Sequence, residues 1–389
     1  MKIGRVIRTV ILLLIASGHI FTASAGQGEP QHSHGHDAES THENHDVQHA
    51  DSEEEGINVT ETIMHHIKDA HDWHILDWDG HPVSLPLPII LWTEDGLVTG
   101  MSSAFHHDDH GHHVAEIGGQ KFVKNHGHIY YASANANDHG QHLEIGQNDK
   151  GEDVVLNDAP LDLSITKNAA SLIFSVFVIL ILFLGAAKAY RSNGVPKGLA
   201  SFIEPLVVFM RDEVARPNIG EKRYAAFVPY LCTLFFFIWI NNMLGLIPFI
   251  PGGANTTGNI AVTLVLAAFT LILVLVNSNG AYWKHIFWMP GVPVPVRLLL
   301  APIELIGVFT KPFALMIRLF ANMTAGHIVI LSLISLIFIF ETEFMAIASV
   351  PLTLFIFVIK VLVALLQAYI FALLTALFIG QAVAEDDHH

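Results

Sequence analysis

The pattern of apolar and polar positions changes character near residue 166. Before it, apolar runs are short. Val83–Trp92, Leu97–Phe105, Gln120–Lys124 and His128–Ser133 have strand composition, with Asp79-Gly80, Asp95-Gly96 and Asn125-His126-Gly127 as turn signals between them. This predicts a small β-rich domain over residues 57–165. After the change, Ala169–Ala187 runs 19 residues without a charge, enough to cross a bilayer. Leu199–Arg216 is amphipathic: Leu199, Phe202, Ile203, Leu206, Met210 and Val214 share one face, and Glu204, Arg211 and Asp212 point away. It reads as an interfacial helix. Ala225–Ile250 and Ile260–Val276 predict the second and third crossings. Ala301–Phe340 and Ala346–Ala384 are each about twice the length of a simple span. As helices they would run to roughly 60 Å against a hydrocarbon core of about 30 Å. No polar turn interrupts either, so two long inclined helices joined near Glu341-Thr342-Glu343 are expected. The predicted fold class is an all-α polytopic membrane protein with about five transmembrane crossings, including a long inclined helical hairpin, plus a small β-rich exported N-terminal domain.

Charge sharpens the division. The chain of 389 residues has a formal net charge of −16, but residues 26–165 hold 26 acidic residues against four lysines and no arginine. Residues 166–389 hold 13 basic residues against 10 acidic ones. The acidic part offers nothing to a phosphate backbone, and no nucleic-acid partner is expected. Residues 1–25 have a signal-peptide pattern: Lys2, Arg5 and Arg8, an apolar Val10–Ala16, then Ala23-Ser24-Ala25. Residues 26–56 are rich in His, Glu, Asp and Ser and read as disordered. The one cysteine, Cys232, lies in an apolar run, so no intrachain disulfide forms. Lys188, Arg191, Lys197, Arg211, Arg216, Lys222 and Arg223 lie between the first and second spans, and Lys284 and Arg297 follow the third. Both stretches are expected in the cytoplasm, with the N-terminal domain exported and Glu385–His389 inside.

An ionisable group at mid-helix in a bilayer costs about 2.5–3.5 kcal/mol or more, so each needs a reason. The two long stretches hold Glu304, Lys311, Arg318, His327 and Lys360. Glu304, Lys311 and Arg318 are seven apart and form one stripe that Asn322 continues; Lys360 and Gln367 make a second. Facing polar stripes suit a water-lined ion path. Arg318 stays charged at physiological pH and cannot relay protons, but it can hold a carboxylate ionised.

These residues carry a family resemblance. Met316–His327, read Met-Ile-Arg-Leu-Phe-Ala-Asn-Met-Thr-Ala-Gly-His, resembles the signature of subunit a of F-type ATP synthases. Asn241–Pro248 resembles its second signature and Leu366–Phe371 its third. Pro302-Ile303-Glu304 and Thr310-Lys311-Pro312 also fit. The resemblance covers about residues 165–389. It implies a stator proton-channel subunit, not an enzyme by itself, in a bacterial inner membrane. Its partners would be the c-ring, the b subunits of the peripheral stalk, lipid and protons. Two offset half-channels would meet at the c-ring with Arg318 between them. Asn322, His327, Lys360 and Gln367 match positions of the outer half-channel, and Glu304 matches one on the cytoplasmic side. There is a departure: many members carry Glu at the position of His327 and His at that of Lys360. A charged Lys360 would repel incoming protons, so either burial lowers its pKa or an acid comes from elsewhere, Glu341 and Glu343 being nearest in sequence.

No cofactor or resident metal is expected. His32, His34 and His36 alternate, and His106, His107, His110, His112 and His113 surround Asp108 and Asp109, but the spacings define no tetrahedral set. No Gly-rich phosphate loop is present. Rival readings are an unrelated cation or metal transporter with a His-rich capture segment, or a membrane-anchored binding protein.

Overall fold

A computed structural model describes residues 68–384 apart from 79–80, 149–150, 152, 194–197, 248–252, 290 and 341–342. The expected signal peptide, the His-rich segment 26–56 and the turn residues Glu341 and Thr342 therefore lie outside the described residues, as does Asp79-Gly80.

The described residues of the N-terminal region contain ten strands: β1 (Asp72–Trp78), β2 (His81–Pro86), β3 (Pro88–Thr93), β4 (Gly96–Met101), β5 (Ala115–Ile117), β6 (Gln120–Asn125), β7 (His128–Tyr131), β8 (Ile145–Gln147), β9 (Asp153–Val155) and β10 (Leu161–Asp162). They form antiparallel sheets β1-β2, β10-β3-β4, β5-β6-β7 and β8-β9. The two described turn signals fall between paired strands as read. Asn125 pairs with His128 across a two-residue loop in which His126 and Gly127 have φ of 48° and 82°, the left-handed pair that a tight hairpin requires. Two expected strands differ in extent. The run Val83–Trp92 divides into β2 and β3 about Leu87, where Pro86 and Pro88 flank the break. The run Leu97–Phe105 stops at Met101 and closes as a 3-10 turn, Ser102–Phe105, which buries Phe105. Ile89, Leu91, Phe105, Phe122, Val123 and Ile129 fill the core of this domain.

Among the described residues, seven helices of eight or more residues follow: α1 (Lys167–Asn193), α2 (Leu199–Phe209), α3 (Tyr224–Leu246), α4 (Ile260–Asn277), α5 (Gly280–Phe287), α6 (Val294–Phe340) and α7 (Glu343–Val383). Five of them, α1, α3, α4, α6 and α7, are long and apolar enough to cross a membrane. The protein is a multi-pass helical membrane protein with a β-containing N-terminal region. α2 continues through a π-helical stretch, Met210–Ala215, into a last turn at Arg216–Ile219. Its burial departs from the uniform stripe expected. Ile203, Met210 and Val214 are buried, but Phe202 is 59% exposed. Phe202 lies before both Pro205 and the π turn, and its ring lies beside Trp239 of the next long helix at 6.2 Å.

α3 lies at the centre, with Leu231, Cys232, Leu234, Phe235 and Phe236 buried. α7 packs on it through small residues every four positions, Ala364, Ala368, Ala372 and Ala376, all buried. Gly380 ends this row, and a Cβ there would collide with the Asn218 carbonyl. Such a row lets two backbones approach closely, which is how helices associate where lipid supplies no hydrophobic force. The row is spaced i, i+4 and so stays on one side of α7.

The ends of the bundle are tied separately. Asn279 donates its backbone N–H to Ala382 O (2.9 Å) and its side-chain amide to Val383 O (3.0 Å), so the end of α7 is capped by the start of α5. At the opposite end, α1 joins the N-terminal domain. Lys167 N–H donates to Ala70 O (2.8 Å), and Asn168 N–H donates to Asp69 Oδ1 (3.0 Å).

Candidate functional site

α6 and α7 are 47 and 41 residues long and run antiparallel. Their cross-contacts fix the order: Lys311 reaches Gln381, Asn322 reaches Gln367, and Ser349 bonds the Leu333 carbonyl. Pro302, Pro312 and Pro351 lie inside these helices without breaking them. Each proline removes a backbone donor, so the helices persist by packing rather than by propensity.

Glu304, Lys311, Arg318 and Asn322 are all half-buried, as one stripe at the margin of a packed face requires. Asn322 donates its side-chain amide to Gln367 Oε1 at 3.0 Å. Lys360 donates from Nζ to the Asn322 backbone carbonyl at 3.1 Å. The two polar stripes expected from spacing therefore meet at Asn322. Gly326 makes this contact possible. It faces the Lys360 side chain so closely that a Cβ would displace the ammonium. Lys311 binds Gln381 Oε1 at 3.1 Å and sits over the Phe378 ring at 5.6 Å.

Arg318 is different. No hydrogen-bond acceptor or carboxylate pairs with it among the described residues. On the open side of α6, exposed Ala314 and Ala321 stand one turn to either side of Arg318. On α7, Phe344, Ile347, Pro351, Phe355, Val358, Leu362 and Leu366 form an exposed row at three- and four-residue spacing. An unpaired guanidinium beside such surfaces demands a counter-charge from outside the chain, since an isolated cation in apolar surroundings is strongly disfavoured.

His327 faces α3 and the turn before α4. Its Nε2 lies 3.6 Å from where a Cβ on Gly245 would stand, and that nitrogen is buried without a hydrogen-bond partner. Thr324, one turn back, donates to Gly258 O at 3.3 Å. Lys360 lies near enough to act electrostatically on His327. A second cation acts on it that sequence reasoning missed: Lys167, at the start of α1. Its sequence signal is only a lysine directly before an apolar span. Glu304 lies far along α6, near Tyr282 of α5. Glu341 and the Glu343 side chain are outside the described residues, so neither is positioned relative to His327.

The histidine loop of the N-terminal domain is organised around Asp108. Burial disfavours its charge, but the backbone N–H groups of His113 (2.6 Å) and His110 (3.1 Å) outweigh this and hold the carboxyl below its usual range. Among the described residues, no three His, Cys, Asp or Glu side chains are grouped to hold a metal ion.

These features define a class: a multi-pass helical membrane protein built on an antiparallel pair of very long helices, with one unpaired mid-helix arginine and an amide–amide–ammonium cluster beside it. The family model described as ATP synthase A chain matches residues 169–380, more than half the chain, and a domain of unknown function matches residues 62–163. The chain is 45% identical over 235 residues to ATP synthase subunit a of Chloroherpeton thalassium, covering 58% of this chain and 69% of that protein. It is 46% identical over 241 residues to ATP synthase subunit a 2 of Chlorobaculum tepidum, covering 59% and 66%. ATP synthase subunit a of Anaeromyxobacter sp. is 43% identical over 236 residues, covering 59% and 56%. The chain belongs to the ATP synthase subunit a family.

Proposed function

We propose that this chain is the stator proton-channel subunit of a rotary F-type ATP synthase. It forms two offset half-channels against a c-ring and couples proton passage to rotation and ATP synthesis. The observation that carries this reading is Arg318, unpaired among the described residues and set beside open apolar helix faces. In this reading a c-ring carboxylate supplies the counter-charge. Arg318 holds that carboxylate ionised as it passes and bars a continuous file of water between the half-channels.

Asn322, Gln367, Lys360 and His327 serve the outer half-channel, and Glu304 serves the cytoplasmic one. Three of the outer set touch in one chain of hydrogen bonds, from Lys360 through Asn322 to Gln367, and this supports a common role. His327 has a free ring nitrogen, as a proton acceptor needs. The chain is a transport subunit, not a catalyst by itself, and needs no cofactor. The b subunits hold it against the ring. Residues 1–25 direct export, and the N-terminal domain lies outside the inner membrane with the C-terminal tail in the cytoplasm.

Gentle detergent extraction tests the assembly. The chain is expected to purify with a ring of small, two-helix proteins, each with one mid-helix carboxylate. A monodisperse chain free of such partners would overturn the reading.

A further inference from the structure

The outer set lacks an acid. Among the described side chains of α6 and α7, the only carboxylate is Glu304, far along α6 from His327. Yet the Lys167 end of the bundle is unusually polar. Six buried atoms there have no hydrogen-bond partner among the described residues: Asn168 Oδ1, Ser171 Oγ, Asn241 Oδ1, Asn255 Oδ1, Thr256 Oγ1 and His327 Nε2. They come from α1, α3, the loop before α4, and α6. Those elements meet here: α1 packs on the turn Thr256–Gly258, Thr324 bonds Gly258, and Gly245 lies between Ala254 and His327. Buried polar atoms in native proteins are satisfied by protein or by water, and six together mark a hydrated tract.

Asp69 stands at the other side of this tract, on the segment before β1. Its Oδ1 accepts the backbone N–H groups of Ala70 (3.1 Å) and Asn168 (3.0 Å), and the Thr166 hydroxyl also bonds it. Lys167 is buried between the two regions and acts electrostatically on both Asp69 and His327. His71 also acts on Asp69, and its Nε2 is bound to Asp162 Oδ2 at 2.7 Å. His128 and Lys68 lie beyond that pair.

We propose that Asp69, supplied by the N-terminal domain, is the acid that passes protons between the outer aqueous phase and the tract leading to His327. This rests on the half-channel reading above. The carboxylate takes a proton from hydronium and leaves water. The acid then gives that proton to a water of the tract, His327 Nε2 accepts it, and Asp69 returns to carboxylate. Lys167 takes no part in the transfer. Burial pushes the Asp69 carboxyl above the usual carboxylate range, against the pull of Asn168, Thr166, Lys167 and His71, so it exchanges protons at milder acidity than a surface aspartate. The alternative is that Asp69 only ties α1 to the domain.

Asp69→Asn separates the two. An amide oxygen still accepts from Ala70 and Asn168, so the tie survives while the acid is lost. The assay is ATP synthesis by inverted vesicles carrying the intact complex, at fixed membrane potential, with lumenal pH varied between about 5 and 8 to span carboxyl and imidazole titration. Asp69→Asn should slow synthesis by about tenfold, less than the full contribution of a positioned acid–base group because water shares the route. It should flatten the acidic limb of the profile. Asp69→Glu should restore the rate with a displaced limb. Wild-type rates for Asp69→Asn across the range overturn the proposal. Arg318→Ala is the control for the reading beneath it: if that variant also synthesises ATP normally, the half-channel assignment fails, not Asp69 alone.

Discussion

The N-terminal domain and the helical bundle both bury charge, but they treat it in opposite ways. In the β domain, buried charges are paired. Lys124, 5% exposed, binds Asp72 Oδ2 at 3.2 Å and lies 3.8 Å from Asp109. His71 is bound to Asp162. In the bundle, the half-buried Arg318 has no partner among the described residues. A paired buried charge sets a structure's register and is complete within the chain. An unpaired one in apolar surroundings is tolerated only if its partner comes from elsewhere, such as another subunit, water or a transported ion. The same residue types thus report fold in one region and transport in the other.

Arg318→Ala tests the bundle side most severely. Its helix should remain intact, because the side chain holds nothing else in place. ATP-driven proton pumping by inverted vesicles is expected to disappear, a loss of at least about a thousandfold if the ring carboxylate must be discharged by this cation. Arg318→Lys should also fail, since an ammonium lacks the planar fork. Normal coupled pumping by the alanine variant would place Arg318 on the same footing as the paired charges of the β domain.

Lys124→Met breaks the domain side. The methionine fills the space, but among the described residues Asp72 is then left with the His107 ring at 3.9 Å. Removing one partner of a buried pair costs about 3–5 kcal/mol. Amide exchange in β1 and β6 of the intact chain should accelerate accordingly. Replacing both members, Lys124→Met with Asp72→Leu, should recover most of the loss. Full protection in the single variant would mean the pair is no more than a surface contact.

Much of the bundle was legible because bilayer physics permits few patterns. An uncharged run of about 20 residues has one common meaning, and α1, α3 and α4 fall within a few residues of the expected spans. The two stretches of double length read as unbroken helices because no polar turn interrupted them. Their spacing put Glu304, Lys311, Arg318 and Asn322 on one stripe and Lys360 with Gln367 on another. What spacing could not supply was the depth at which the stripes cross, and that depends on Gly326 clearing room for Lys360. Lys167 and Asp69 were illegible for a related reason. Neither belongs to a periodic pattern, and both are brought to the His327 tract by how the N-terminal domain sits on α1. In that domain, β3, β4, β6 and β7 were readable from alternation and turns. β5, β8, β9 and β10 are two or three residues long and leave no periodic trace. β1 was missed although it has seven residues, because Asp72, His74 and Asp77 look like solvated loop in the sequence; Lys124 binds Asp72, and Asp162 binds His71 just before the strand.

The finest test is the response to acid, because two parts of one domain should answer with opposite sign. Asp72 and Asp162 have carboxyls held below their usual range. In each, burial opposes ionisation, but Lys124 and Ser102 outweigh it at Asp72, and His71 and Ser164 at Asp162. A carboxyl depressed in the folded state contributes stability that is present above its unfolded value and lost as pH falls through the folded value. Asp69 is raised instead, chiefly by burial, so its favourable contribution lies at low pH and is lost as pH rises through its folded value. Acidification from neutrality through the carboxylate range should therefore weaken amide protection around β1 and β10, where Leu163 N–H bonds Ile90 O. The Asn168 amide, held by Asp69, should keep its protection or gain some over the same range. The measurement is hydrogen exchange of the intact chain at several pH values, corrected for intrinsic rates. Uniform loss at all these amides would show that Asp69 behaves as another paired carboxylate. It would also remove the electrostatic distinction between the tie at α1 and the interior of the β domain.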